Sequence, residues 1–204
     1  HLTGPFASLS IVFNRDGSID YDVLRSLIDA GISGGGKTVL LTYGDSLFSL
    51  LTDEEIADVT RAVVEHTADR AMVVAADGGW ATGKTVEFAG FARKAGADVL
   101  MVKPPIWAGS CTVNTFVEHF ATVAEQMPVM LVTNVFDGRH ETGFQTIERL
   151  RDEVENVVAI KDDQGGPFAA KMTAMVGDKW AVFSGGTKQR HLEIVHHGAV
   201  GYMS

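Results

Sequence analysis

The chain has 204 residues, 46% of them hydrophobic, with a net charge of −9 and a pI near 5.2. This apolar fraction excludes disorder and supplies a substantial core, while an acidic balance without a lysine or arginine cluster gives a field that repels nucleic acid. No apolar run approaches the roughly 20 residues of a membrane span, the first residues lack the charged start of a signal peptide, and one cysteine, Cys111, excludes an internal disulfide and suits a reducing cytoplasm.

In chain order the strand candidates are SLSIVF (8–13), TVLLTY (38–43), MVVAA (72–76), DVLMV (98–102), PVMLV (128–132), VVAI (157–160), WAVF (180–183) and AVGYM (199–203). Most are continuous apolar runs, as expected of parallel strands buried on both faces. Helical patterns fall between them. Leu24, Leu27 and Ile28 share one face of the first helix, Ile56, Val59 and Val63 one face of the second, and Phe116, Phe120 and Val123 one face of a later one. Thr52 followed by Glu55 predicts a capping box, and Asp16-Gly17, Gly31, Gly96 and Gly198 predict turns.

Two stretches match the phosphate-loop pattern. In GISGGGKT (31–38) a helix precedes and a strand follows, so its glycines end a helix and no helix N-terminus faces a phosphate. GGWATGKT (78–85) has the right order, strand then helix, and leaves a nucleotide reading with Lys84 and Thr85 open at this point.

Strands alternating with helices along the whole chain, without a linker, predict a single α/β domain over residues 1–204, a (β/α)8 barrel. An open doubly wound sheet shares much of the pattern. The chain begins at His1 without a methionine and no eighth helix follows the last strand, the pattern of a barrel cut short. Barrel chemistry belongs at the carboxyl ends of strands, which selects Thr42, Tyr43, Asp45, Asp77, Lys103, Thr133, Asn134, Lys161, Asp162, Ser184 and Ser204. Lys161 stands out, a lysine directly after four apolar residues. Burial disfavours an ammonium and prepares an amine to attack a ketone. The plainer reading pairs it with Asp162 or Asp163, and Lys103 is the rival nucleophile.

The ordered set SLSIVFNRDGSIDYDVLRSLIDAGI, LTYGDSLFSLLTDEE, GGWATGKTVEFAGFARKAGAD, VLMVKPP, EHF, MPVMLVTNV, NVVAIKDD, FSGG and GAVGYMS resembles the dihydrodipicolinate synthase and N-acetylneuraminate lyase family of class I aldolases. The resemblance implies that Lys161 forms an imine with pyruvate or another 2-keto acid, with an aldehyde as acceptor in some members. It implies neither metal nor organic cofactor, and a homo-oligomer, dimer or tetramer. It makes GGWATGKT a strand-to-helix turn, with Lys84 and Thr85 in the first turn of a solvated helix.

Carried over position by position, it assigns carboxylate binding to Thr42 and the backbone around Tyr43 and Gly44, and counts Asn134 and Gly185 among the binding positions. Arg139 meets the distal part of the substrate. The family's proton-shuttling tyrosine is missing: Val132 precedes Thr133 and Asn134. Tyr43 as a substitute phenol and Thr133 positioning a water are the expected replacements. Ile106 and Trp107 stand where the synthases carry aromatic hydroxyls, and Trp107 is expected to stack on a ring or cover a subunit contact. Remaining rivals are a keto-acid-binding homologue without turnover and a metal-dependent enzyme using Asp77, Asp162 and Asp163.

Overall fold

The computed structural model describes residues 2, 4–103 and 109–203; Ile106, Trp107 and Ser204 lie outside the described residues. The strands are β1 (Phe6–Ser8), β2 (Thr38–Leu40), β3 (Met72–Ala76), β4 (Val99–Val102), β5 (Val129–Val132), β6 (Val157–Asp162), β7 (Ala181–Ser184) and β8 (Gly201–Tyr202). The helices between them are α1 (Tyr21–Ser33), α2 (Asp53–Thr67), α3 (Thr82–Ala95), α4 (Val113–Ala124), α5 (His140–Glu153), α6 (Gly166–Val176) and α7 (Lys188–Ile194).

Sheet order follows chain order from β1 to β8, and every neighbouring pair is parallel. The sheet curls into a nearly closed barrel. Phe6 on β1 meets Phe183 on β7 edge-on, with ring centroids 4.7 Å apart, and a Cβ on Gly201 of β8 would stand 3.0 Å from the Phe183 ring and 3.5 Å from that of Phe6. All residues of β2, β4 and β5 are buried, because side chains alternate between the barrel interior and the helix layer. This double burial explains the unbroken apolar runs.

Local chemistry sets the helix ends. Asp20 accepts from the amides of Asp22 and Val23 at the start of α1, and Thr52 with Glu55 makes the reciprocal cap of α2. Ile56, Val59 and Val63, and Phe116, Phe120 and Val123, face the core as their spacing requires; Leu27 of the first helix remains exposed.

Two expectations are corrected. The first strand pairs at Phe6–Ser8, earlier than the SLSIVF run, and the chain then folds back, with Phe13 bridged to Ile19 around Gly17 at φ +89°. Leu9 and Ile11 are buried beyond the carboxyl end of β1, where the Leu9 amide still donates to the Leu40 carbonyl at 3.0 Å, so the apolar run continues past the paired strand. Gly31 lies inside α1: a Cβ there would stand 2.5 Å from Ala7 Cβ, so glycine allows close helix-to-strand approach, and the turn falls at Gly35 with φ +93°.

His119 on α4 is 4% exposed, with Nδ1 2.8 Å from Thr82 Oγ1 on α3. Burial pushes its pKa down from 6.5 to about 4, offset in part by the Lys103 carbonyl. The unfolded chain therefore takes up a proton below pH 6.5 that the folded chain refuses until about pH 4. Its contribution to stability is complete above pH 6.5 and falls by up to about 3 kcal/mol as the pH drops to 4. Urea titrations across this range should show a His119→Phe variant losing less stability with acid than the parent; parallel curves would contradict the assignment. Buried Asp77 and Asp162, whose pKa values are raised, act in the opposite sense in both proteins and cancel in that comparison.

Candidate active site

Lys161 leaves β6 beside Val132 of β5 and Phe183 of β7, with its side chain 16% exposed. Its ammonium donates to both oxygens of Asp163, at 2.8 and 3.1 Å. Strand alternation explains the choice: residues 161 and 163 share one side of the chain, and Asp162 turns to the other. That signal was available in the sequence and decides between the two proposed partners.

Asp163 is held from three directions. Its amide donates to Thr133 Oγ1 at 2.8 Å, its carbonyl accepts from Arg190 at 2.9 Å, and Gly185 leaves room for its carboxylate. A Cβ on Gly185 would stand 2.1 Å from Asp163 Oδ1 and 3.2 Å from Lys161 Nζ.

Beside this pair opens a cavity of about 150 Å³ lined by Leu40, Thr42, Gly44, Asp45, Lys161, Gly186 and Met203. Its lining comes from the carboxyl ends of β2, β6, β7 and β8, the catalytic end of such barrels. A larger apolar groove of about 640 Å³, between Met72, Val99, Pro128, Val158 and Trp180, lies at the amino ends, where the fold does not carry chemistry.

Ser46 shapes the loop after β2. Its hydroxyl donates to the Leu9 carbonyl at 2.8 Å and accepts the Thr42 amide at 2.9 Å, while its own amide donates to Thr42 O at 3.0 Å. The turn thus presents Thr42 and Gly44 to the cavity. Ser46, Arg190 and Met203 were absent from the sequence-based site; Arg190 and Met203 reach it only through barrel closure, whereas Gly186 belongs to the FSGG loop that the resemblance had already included.

Tyr43 belongs to a different cluster. Its hydroxyl lies 2.8 Å from Asp77 Oδ1 and 3.0 Å from the Met101 carbonyl, two acceptors for one hydrogen. Asp77 also accepts from the Gly79 amide and the Thr85 hydroxyl, and burial raises its pKa. Burial, then the Asp77 charge, puts the Tyr43 phenol well above 10. Lys103 Nζ rests 4.2 Å above the Tyr43 ring. Tyr43 is therefore not in the cavity lining, and its hydroxyl is committed to β3 and β4.

Other expected residues also sit elsewhere. The Thr133 hydroxyl accepts from the Asp163 amide and donates to Asp162 Oδ1 at 3.1 Å, so it braces the β6 turn and is not placed to hold a water in the cavity. Asp162 is buried, bonded to the amides of Gln164 and Gly165, and burial raises its pKa. Arg139 donates to the Cys111 carbonyl at 2.5 Å and lies over the Phe116 ring, tying together the ends of the loops after β4 and β5. Asn134 is exposed in the turn after β5.

The rival sites fare no better. Lys84 pairs with Asp53 and rests over Trp80, and Thr85, far from solvated, is buried with its hydroxyl on Asp77. The Thr85 hydroxyl is thus not available to a magnesium ion, and Lys84 is paired at the surface. The carboxylates of Asp77, Asp162 and Asp163 each serve separate partners, and among the described residues no three acidic, histidine or cysteine side chains converge as metal ligands.

A family model of the dihydrodipicolinate synthetase family matches residues 1–204. Over 190 residues the chain is 34% identical to 4-hydroxy-tetrahydrodipicolinate synthase of Sorangium cellulosum (strain So ce56), a match covering 90% of this chain and 62% of that protein. It is 31% identical over 191 residues to the probable 5-dehydro-4-deoxyglucarate dehydratase 1 of Streptomyces coelicolor (strain ATCC BAA-471 / A3(2) / M145), with 90% and 58% covered. Among solved structures, the chloride-inhibited dihydrodipicolinate synthase of Acinetobacter baumannii complexed with pyruvate superposes with a TM-score of 0.85 at 26% identity, over 100% of this chain and 70% of that one. The chain spans less than two thirds of the length of these two curated relatives. A match running from the first residue to the last, on a barrel that superposes with a solved synthase, places the chain in the dihydrodipicolinate synthetase family.

Proposed function

We propose that this chain forms the catalytic barrel of a Schiff-base carbon-carbon lyase or synthase acting on pyruvate or another 2-keto acid. The observation that carries the proposal is the Lys161 ammonium at the end of β6, lining a small cavity with Thr42 and Gly44. The pyruvate held by the Acinetobacter baumannii relative supplies the ligand class.

Lys161, once it has shed a proton, attacks the C2 carbonyl; the carbon-nitrogen bond forms and the carbonyl oxygen leaves as water. The positive imine nitrogen then draws electrons from C3, which loses a proton to give an enamine able to add to an aldehyde. Thr42 and the backbone at Gly44 hold the keto acid's carboxylate. Neither metal nor organic cofactor takes part. By family likeness we extend the proposal to a cytoplasmic homo-oligomer, dimer or tetramer, using an aldehyde acceptor.

Borohydride reduction of the full-length protein with pyruvate, followed by intact mass and peptide mapping, tests the reading. An adduct on Lys161 is expected. One on Lys103 moves the nucleophile to β4, and none with pyruvate or longer 2-keto acids sinks the proposal. A second reading, a keto-acid binder without turnover, has one observation in its favour: the Tyr43 hydroxyl, at the nearest tyrosine in sequence to the cavity loop, is bonded to Asp77 and Met101. It predicts saturable pyruvate binding without exchange of the methyl protons.

A further inference from the structure

We infer that Asp163 is the acid-base catalyst of this site, moving protons between the Lys161 nitrogen, the departing oxygen and the C3 methyl of the keto acid. The inference rests on the imine reading above and adds the group that shuttles its protons. The two expected replacements for the missing tyrosine are committed elsewhere, the Tyr43 phenol to Asp77 and the Thr133 hydroxyl to Asp162; Asp45 lines the cavity with Lys161, but the carboxylate bonded to the Lys161 ammonium is that of Asp163, beside the cavity. Among the described residues, Asp163 alone has both carboxylate oxygens within hydrogen-bond distance of the reacting nitrogen.

The surrounding chain is built for this carboxylate. Thr133 fixes its amide and Arg190 its carbonyl, so the side chain leaves a backbone anchored on both sides. Gly185 is held by a 2.6 Å bond from its amide to the Asp162 carbonyl, and its missing Cβ is the space Asp163 Oδ1 uses. With its side chain only 24% exposed, the carboxylate stays next to the nitrogen instead of dispersing into solvent.

The proton balance closes on these two residues and the substrate. Asp163 takes one proton from the Lys161 ammonium, and the free amine attacks C2. As nitrogen becomes bonded to carbon it gives up a second proton, which the carboxyl relays to the former carbonyl oxygen. The first proton then follows, water leaves, and the iminium keeps one hydrogen on nitrogen with Asp163 again a carboxylate. The oxygen and the methyl are bonded to the same carbon as the nitrogen, so a carboxylate beside that nitrogen also reaches C3. There it removes a proton to give the neutral enamine and returns it, or a solvent deuteron, in reverse.

Exchange of the pyruvate methyl protons in deuterated water, followed by proton NMR alongside borohydride trapping, tests the inference in the full-length protein. Asp163→Asn should slow exchange by at least about a hundredfold, while prolonged incubation still yields a borohydride adduct on Lys161. Should the Asn variant form no adduct, Asp163→Ala with added formate decides: restored exchange supports the role, and no recovery overturns it. Exchange by Asp163→Asn within about threefold of the parent also overturns it while leaving the imine reading intact. Absence of an adduct in the parent protein removes both.

Discussion

Lys161→Ala should abolish the borohydride adduct with pyruvate and lower methyl-proton exchange by at least about 10³-fold. Without the amine no imine forms, and a ketone's C3 protons lose the electron sink that makes them acidic. Lys161→Arg should fail as completely, because a guanidinium keeps its charge and offers no lone pair at neutral pH. The fold should survive both changes. Lys161 contributes its backbone to the β6 ladder, and loss of a partly exposed ion pair should lower stability by less than about 2 kcal/mol. Persistence of the adduct in Lys161→Ala would transfer the nucleophile to Lys103, the other lysine at a strand's carboxyl end.

Gly185→Ala is expected to damage stability and chemistry together. Its backbone lies outside the left-handed region, so the effect is steric. The new methyl would stand 2.1 Å from Asp163 Oδ1 and 3.0 Å from the Asp162 carbonyl, and the 2.6 Å bond from the Gly185 amide to that carbonyl prevents the loop from backing away. The Asp163 side chain must swing out and lose Lys161. We expect a loss of about 1–3 kcal/mol in urea unfolding and a drop in methyl exchange matching that of Asp163→Asn, about a hundredfold. Gly44→Ala is the stability control, since a Cβ there meets nothing within 4 Å. Equal unfolding midpoints for Gly185→Ala and the parent would show that the seat around Asp163 is looser than its geometry implies.

The site was legible in part. A lysine following four apolar residues is visible in one dimension, because a charge at the end of a doubly buried strand has few places to go except the barrel mouth. The loop after β2 could be placed by the same rule. The partner of Lys161 stayed open between Asp162 and Asp163, although alternation along the strand favours the Asp163 seen in the structure. The surroundings of Tyr43, Thr133 and Arg139 were not legible for a common reason: what each polar group meets lies 34, 29 and 28 residues away.

Sequence by itself determined the alternation of buried strands and helices, the capping box at Thr52 and Glu55, and the lysine at the end of β6. These are local consequences of periodicity, side-chain chemistry and position relative to a strand end. Tertiary structure alone decided which hydroxyls and carboxylates face the cavity and which brace the wall. Closing the sheet brings β2, β6, β7 and β8 around one hollow and makes distant chain segments compete for the same hydrogen-bond partners. It also turned GGWATGKT into a packed turn, because Asp77 claims the Thr85 hydroxyl and Asp53 the Lys84 ammonium, contacts that pattern matching within one segment does not reveal.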